Sequence, residues 1–304
     1  MKKKKSYLRQ TSVGGTVFDV VNHIMFGVFT LICIFPFYYL FINTISDNSL
    51  VAKGLINFIP KGIHLGNYIA LKNVNDLFQS LYVTVARTVL GTALMVLVSG
   101  FAGYLVTKKQ LWHRSFWYRF IVITMYFNAG LIPWYLNMMT LGLTNNFWAY
   151  IIPGIVAPYN IILVKTYVES LPKELEESAL IDGADFLTVF SRIIFPLSKP
   201  ILATIAIFGA VGNWNSFQDS LLLMQNAPQY FTLQHRLYDY LTNSTNLGAM
   251  ISGAGGASTM TTDMTNPVVI KYTIAMASII PILCVYPIMQ KHFVKGIMLG
   301  AVKG

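Results

Sequence analysis

Most acid–base, nucleophilic and metal chemistry is done by histidines, carboxylates and cysteines, and in this chain of 304 residues those groups do not converge. His23, His64, His113, His235 and His292 are scattered, with no H-E-x-x-H pair to set two imidazoles on one helix face around a zinc ion. Cys33 and Cys284 both sit inside apolar runs, so neither a disulfide framework nor a zinc cluster follows from them. No G-x-x-x-x-G-K-[ST] loop is present to cradle nucleotide phosphates, and no ATP-driven motor is expected in the chain. The groups able to bind something lie elsewhere. An acid-rich run occupies residues 169 to 199, amides and an indole cluster from Asn213 to Asp219, and Arg87 sits inside an apolar stretch.

The composition says what must position these groups. Hydrophobic residues make up 55% and charged residues 11%, with a mean hydropathy of +0.56. Soluble domains carry about 25% charged residues, so an ordinary water-soluble globule is excluded. The net charge of +10 comes in short clusters between apolar runs, which argues for membrane orientation and against nucleic acid. A crossing helix needs about 20 mostly apolar residues, and six stretches qualify: Val17 to Ile45, Ser80 to Val106, Phe116 to Met139, Phe147 to Val168, Pro200 to Met224, and Val268 to Gln290. The first follows Lys2, Lys3, Lys4, Lys5 and Arg9 like a signal peptide, but it is too long for one and lacks a small-residue cleavage site, so it reads as an uncleaved first span. With six spans, sixteen of the 22 Lys and Arg residues fall on the side of the two termini, which is therefore expected to be cytoplasmic. The layout is a basic N-terminus over 1–16, a six-helix domain over 17–293 and a tail over 294–304.

Residues 169 to 199, between the fourth and fifth spans, hold six of the twelve acids. Ser170 or Leu171 is placed to cap a helix with Pro172 in its first turn, which sets Glu174, Glu176 and Glu177 at the positive end of the helix dipole. Leu171, Leu175 and Ala179 share a stripe that Gly183 extends, narrowing to side chains small enough for close docking. Gly183 then invites a turn, and Phe186, Val189, Phe190 and Ile193 form a second amphipathic run ending at Pro196. This predicts a helix-turn-helix at the membrane surface; an acidic, solvated connector is the alternative.

The spacing Glu177-Ser178-Ala179, three residues, Gly183, nine residues, Ile193-Ile194-Phe195-Pro196 resembles the E-A-A, x3, G, x9, I-x-L-P signature of ABC importer membrane subunits. It departs by Ser178 for Ala and Phe195 for Leu. Phe127-Asn128-Ala129-Gly130-Leu131-Ile132-Pro133, Phe147-Trp148-Ala149 with Pro153-Gly154, Trp214-Asn215-Ser216-Phe217, and the tail from Phe293 to Gly304 are similar to carbohydrate-type permeases of that family. The likeness is greatest to the maltose-permease-G type, in a branch associated with larger or uronate-containing oligosaccharides. It implies an all-α integral membrane protein with six transmembrane helices, both termini cytoplasmic, and a cytoplasmic coupling helix between helices four and five. It also implies a subunit of the bacterial cytoplasmic membrane that is not itself an enzyme. The implied partners are a second homologous permease, two copies of a cytoplasmic ABC ATPase that bind ATP and Mg, and an extracellular sugar-binding protein that delivers an oligosaccharide. Glu177, Ser178, Ala179, Asp182, Gly183 and Pro196 are the implied ATPase-coupling residues, Glu177 helping to secure the helix in a cleft of the ATPase.

A sugar passage needs amides and aromatic faces to replace the water that a sugar gives up. Asn213, Trp214, Asn215 and Gln218 in span five are the first candidates, with Trp214 and Gln218 expected on one helix face and Asn215 and Asp219 on the adjacent one; Tyr126 and Asn128 in span three are the second. Hydrogen bonding between helices is the alternative for all of them. Arg87 is expected to snorkel outward, with pairing to a uronate carboxylate as the competing hypothesis. Ser99 and Gly103 are expected to allow close helix packing. The outer loop 225–267 ends in a Gly/Ser/Thr-rich tract whose composition gives a mobile tip, suited either to contact with the binding protein or to a passive role. A membrane-embedded enzyme and an ion-coupled secondary transporter are the competing classes. The first lacks a convergent acid/base or metal set; the second would place ionisable groups at mid-membrane in repeated halves.

Overall fold

The computed structural model describes residues 13–73, 76–242 and 268–284. The basic N-terminus, the Gly/Ser/Thr-rich tract and the C-terminal tail singled out above lie outside the described residues, apart from 13–16 at the edge of the first. All regular structure among the described residues is helical. The elements are α1 (Val13–Thr44), α2 (Asn48–Ala52), α3 (Gly66–Ala70), α4 (Leu77–Thr107), α5 (Arg114–Tyr126), α6 (Leu131–Thr140), α7 (Pro158–Glu169), α8 (Glu174–Ile181), α9 (Phe186–Val189), α10 (Phe195–Leu197), α11 (Lys199–Asn215), α12 (Gln218–Leu223), α13 (Leu233–Thr242) and α14 (Val268–Cys284). They form two compact units, divided after residue 70 and, within α14, after Met276.

In the first unit, α1 is long and apolar enough to cross a membrane, and no residue of its most apolar stretch is buried within this chain. Its last turn is packed: Ile42 meets Val51, Ile56 and Val269 in a small core. The chain beyond Thr44 is held by polar ties, with Asn67 Nδ2 donating to Thr44 O at 2.9 Å and the Asp47 carboxylate capping α2 through Ser49 N and Leu50 N.

In the second unit, α4 is an uninterrupted 31-residue helix packed against α7 and α11. Ser80, Val83, Thr84, Arg87, Gly91, Met95, Ser99 and Gly103 recur at three- and four-residue spacing and are all buried, so one stripe of α4 faces the bundle along its length. Ser99 and Gly103 sit on that stripe as expected: a Cβ on Gly103 would come within 2.8 Å of Val164 Cβ.

Among the described residues two helices, Gly14–Thr44 and Leu77–Thr107, are long and apolar enough to cross a membrane, and two bent helix pairs would raise the number to four. The continuous third, fourth and fifth spans read from hydropathy are broken, each at residues whose backbone cannot continue a helix. Span three stops at Tyr126, where Asn128 Oδ1 accepts from Gly130 N and Gly130 takes a φ of +90°, before α6 begins. Span four opens as two short 3-10 turns containing Pro153 and bends by 42° into α7, which starts at Pro158. Span five ends as α11 at Asn215 and resumes as α12 after Ser216 and Phe217. The described part of span six, α14, has 17 residues.

Candidate functional site

The coupling segment folds as two short helices joined by a tight turn. The first helix begins later than its sequence suggests: α7 continues to Glu169, Ser170 closes it, and α8 starts at Glu174, so Pro172 lies in the connection and neither Ser170 nor Leu171 caps α8. Glu174, Glu176 and Glu177 occupy its first turn, as expected from the dipole. Ala184 N donates to Ala179 O at 3.0 Å and Gly183 N to Leu180 O at 3.1 Å, the paired bonds that end a helix on a left-handed residue; Gly183 has a φ of +85°. Asp185 then caps α9, accepting from Thr188 N at 2.9 Å, and hydrogen bonds from Thr188 hold its carboxyl below the usual carboxylate range. Phe195 N reaches back to Phe190 O in a wider π turn ahead of Pro196, and the chain bends by 79° into α11.

This geometry gives the segment two faces. Leu171, Ala179, Leu180, Ala184, Phe190 and Ile193 pack on a core of Tyr104, Val164, Val168, Val189, Ile194, Leu202 and Ile205. Glu177, Ser178, Ile181, Asp182, Gly183, Leu187 and Pro196 are exposed, Ile181 by 85% and Leu187 by 60%. Leu175, expected on the inner stripe with Leu171 and Ala179, is exposed instead, because Leu171 precedes α8 and does not set its phase. Ala179 is the one residue of the implied coupling set that faces inward. Glu176 also turns inward: its carboxylate pairs with Lys108 and accepts from Tyr104 OH at 3.4 Å.

A second polar cluster lies toward the Leu77 end of α4. Arg87 does not snorkel; its side chain is 2% exposed and its guanidinium donates to both Asp219 oxygens, at 2.6 and 3.2 Å, and to Ser216 O at 3.3 Å. The guanidinium lies 4.4 Å from the Tyr150 ring centroid. Asp219 also accepts from Ser216 Oγ and Ser220 N, so the Arg87–Asp219 pair satisfies the backbone where span five breaks. Ser220 Oγ lies 2.9 Å from His235 Nδ1, and Leu233 N donates to Thr84 Oγ1 at 2.8 Å, tying α13 to α12 and α4. Burial lowers the His235 pKa, with Asp239 opposing the shift. Arg87 and Asp219 are opposite charges lying inside two of the apolar spans, a signal for a pair that 132 residues of separation hid.

Several of the expected substrate-path residues are hydrogen-bonded within the chain. Trp214 Nε1 donates to Ser278 O at 3.1 Å, Asn213 Nδ2 to Thr92 Oγ1 at 3.4 Å and Asn215 Nδ2 to Val211 O at 2.9 Å. Asn128 is used in the Gly130 turn. Gln218 and Tyr126 are exposed, Tyr126 by 80%. The break at Ser216 also takes Gln218 and Asp219 off the helical phase of Trp214 and Asn215, so the pairing of faces expected for a continuous helix does not hold.

Long apolar helices, broken helices held by buried polar bonds and a two-faced loop that exposes a carboxylate are features of a helical membrane protein. The chain belongs to the family of binding-protein-dependent transport system inner membrane components, whose model matches residues 8–298. It is similar to Protein LplC of Bacillus subtilis (strain 168), 35% identical over 95% of this chain and 96% of that one. It is also similar to the polygalacturonan/rhamnogalacturonan transport system permease protein YtcP of the same organism, 33% identical over 95% and 99%. Among solved structures it resembles a chain of a bacterial ABC transporter involved in the import of the acidic polysaccharide alginate. That match has a TM-score of 0.82 and 31% identity, and covers 93% of this chain and 98% of that one.

Proposed function

We propose that this chain is a membrane-spanning permease subunit of an ATP-driven importer, forming with a second homologous permease the passage for an oligosaccharide delivered by an extracellular binding protein. It crosses a bacterial cell membrane six times with both termini in the cytoplasm, and the bent helix pairs count as single crossings. It carries no catalytic step. ATP and Mg are held by two copies of a separate ATPase, which grip the exposed face of α8 and α9. The observation that carries this reading is the division of the coupling segment, with Glu177 and Asp182 turned outward beside protruding Ile181 and Leu187 while Ala179 and Leu180 anchor the helix. Exposed Ile181 and Leu187 beside outward carboxylates give the segment a mixed apolar and acidic face suited to a partner surface.

The cargo is proposed to be an acidic oligosaccharide, because the YtcP name specifies polygalacturonan/rhamnogalacturonan and the solved relative takes part in importing acidic alginate. Arg87 is not its ligand, since Asp219 already occupies the guanidinium. Gln218, Tyr126, Asn215 and Asn128 are the exposed path residues; Asn215 and Asn128 also hydrogen-bond to nearby backbone, while Asn213 and Trp214 bond to neighbouring helices. The test is purification of the tagged chain in gentle detergent beside Glu177→Lys, with mass spectrometry of the recovered proteins. The wild type is expected to bring down a Walker-motif ATPase and a second permease, and the variant the permease alone. Recovery of the chain by itself, under conditions that preserve other membrane complexes, overturns the reading.

A further inference from the structure

We propose that Glu176, Lys108 and Tyr104 form a clasp through which a displacement of the coupling segment reaches α4; this rests on the permease reading above and identifies its positioning residues. The three acids of the first turn of α8 have different environments. Glu174 and Glu177 are exposed, but the Glu176 side chain is only 20% exposed and its partner Lys108 only 11%. Tyr104 is fully buried, donates to the second Glu176 oxygen, and lies under the Lys108 ammonium at 4.1 Å from its ring centroid. Its ring also meets Phe190, from the second half of the coupling segment, at 5.4 Å. Both halves of the segment are therefore fastened to the last turn of one helix.

Withdrawing a carboxylate and an ammonium from water is costly unless the two stay together, so the pair resists separation more than an exposed ion pair does. A packed apolar contact alone allows side chains to slide; a carboxylate held by two donors of different geometry fixes register as well. The element they fasten to has no break over 31 residues, and Gly103, one residue before Tyr104, is seated closely against α7. Movement imposed at Ile181 and Leu187 is thus transmitted through Glu176 to α4 as a rigid body. The chain has separated the two tasks between neighbouring acids: Glu177 faces the ATPase and Glu176 faces the membrane helices.

The experiment uses the assembled complex in proteoliposomes, with Cys33 and Cys284 replaced by serine and a reporter cysteine at Phe78, exposed in the first turn of α4. Labelling by a membrane-impermeant maleimide is timed with and without ATP, and ATPase recovery is measured on the same samples. Coupling of ordinary allosteric size predicts a labelling rate that changes roughly fivefold or more with ATP. That change is expected to vanish in Glu176→Gln and Lys108→Gln while ATPase recovery is kept, and to return in the exchanged pair Lys108→Glu/Glu176→Lys. A purely stabilising contact would not tie the ATP response to the pair in this way. No ATP response in the parent complex, or an undiminished response in both single variants, overturns the clasp, as does failure of the exchanged pair to restore it. If the parent chain recovers no ATPase, it is the permease reading that fails.

Discussion

Replacing Asp219 by Asn should destabilise the folded chain more than removing the arginine that it neutralises. Asp219→Asn leaves the Arg87 guanidinium, 2% exposed, without its counter-charge and with one amide oxygen, Ser216 O and the face of Tyr150 as partners. Breaking a buried pair from one side costs about 3–5 kcal/mol, a hundredfold to a few thousandfold in the folding equilibrium. In a micelle the unfolded reference keeps its helices and offers other polar partners, which favours the lower end of that range. Arg87→Met leaves a carboxylate that is 17% exposed and still accepts from Ser216 Oγ and Ser220 N, so a loss of about 1–3 kcal/mol is expected. The double variant should be no less stable than Arg87→Met, giving an interaction energy of about 3 kcal/mol or more. Equilibrium unfolding of all four proteins in mixed micelles measures this. Additive single losses, or Asp219→Asn milder than Arg87→Met, would refute the argument that the pair is buried and mutually dependent.

Two glycines should fail for different reasons. Gly103→Ala forces a Cβ within 2.8 Å of Val164 and should cost about 1–3 kcal/mol of stability by overpacking, visible in the same unfolding assay. Gly183→Ala meets nothing within 4 Å, but its φ of +85° should cost about 1 kcal/mol and weaken ATPase recovery by misdirecting α9. The anchorage of α13 should depend on pH. Burial lowers the folded-state pKa of His235 below its unfolded value of 6.5, so the stabilisation is complete above that pH and is lost as the pH falls through it toward the folded value. Protection of the α13 amides, corrected for the intrinsic pH dependence of exchange, should fall between pH 7.5 and 5.5 by less in His235→Asn than in the parent.

The parts of this fold legible in the sequence are those set by local patterning. Hydropathy located α1 and α4, and the order of acids, glycine and apolar residues located the turn between α8 and α9, because helix dipole, left-handed glycine and amphipathic spacing act within a few residues. Hydropathy averaged over a window could not see that Gly130, Pro153 and the Ser216-Phe217 step interrupt apolar runs, since one such residue barely changes the mean. The pairing of Arg87 with Asp219, and of Lys108 with Glu176, depends on which helices become neighbours, and nothing within 68 or 132 residues of chain states that. Helical phase also misled at Leu175, whose expected stripe assumed one helix where the chain makes two.

The outward face of α8 is the central claim, and a photo-activated crosslinking residue placed at Ile181 in native membranes tests it most directly, with the same residue at inward-facing Ala179 as its control. Irradiation should join position 181 to an ATPase subunit and leave position 179 attached only within its own chain. Absence of an ATPase adduct at 181 in a complex that still imports its cargo would contradict the account.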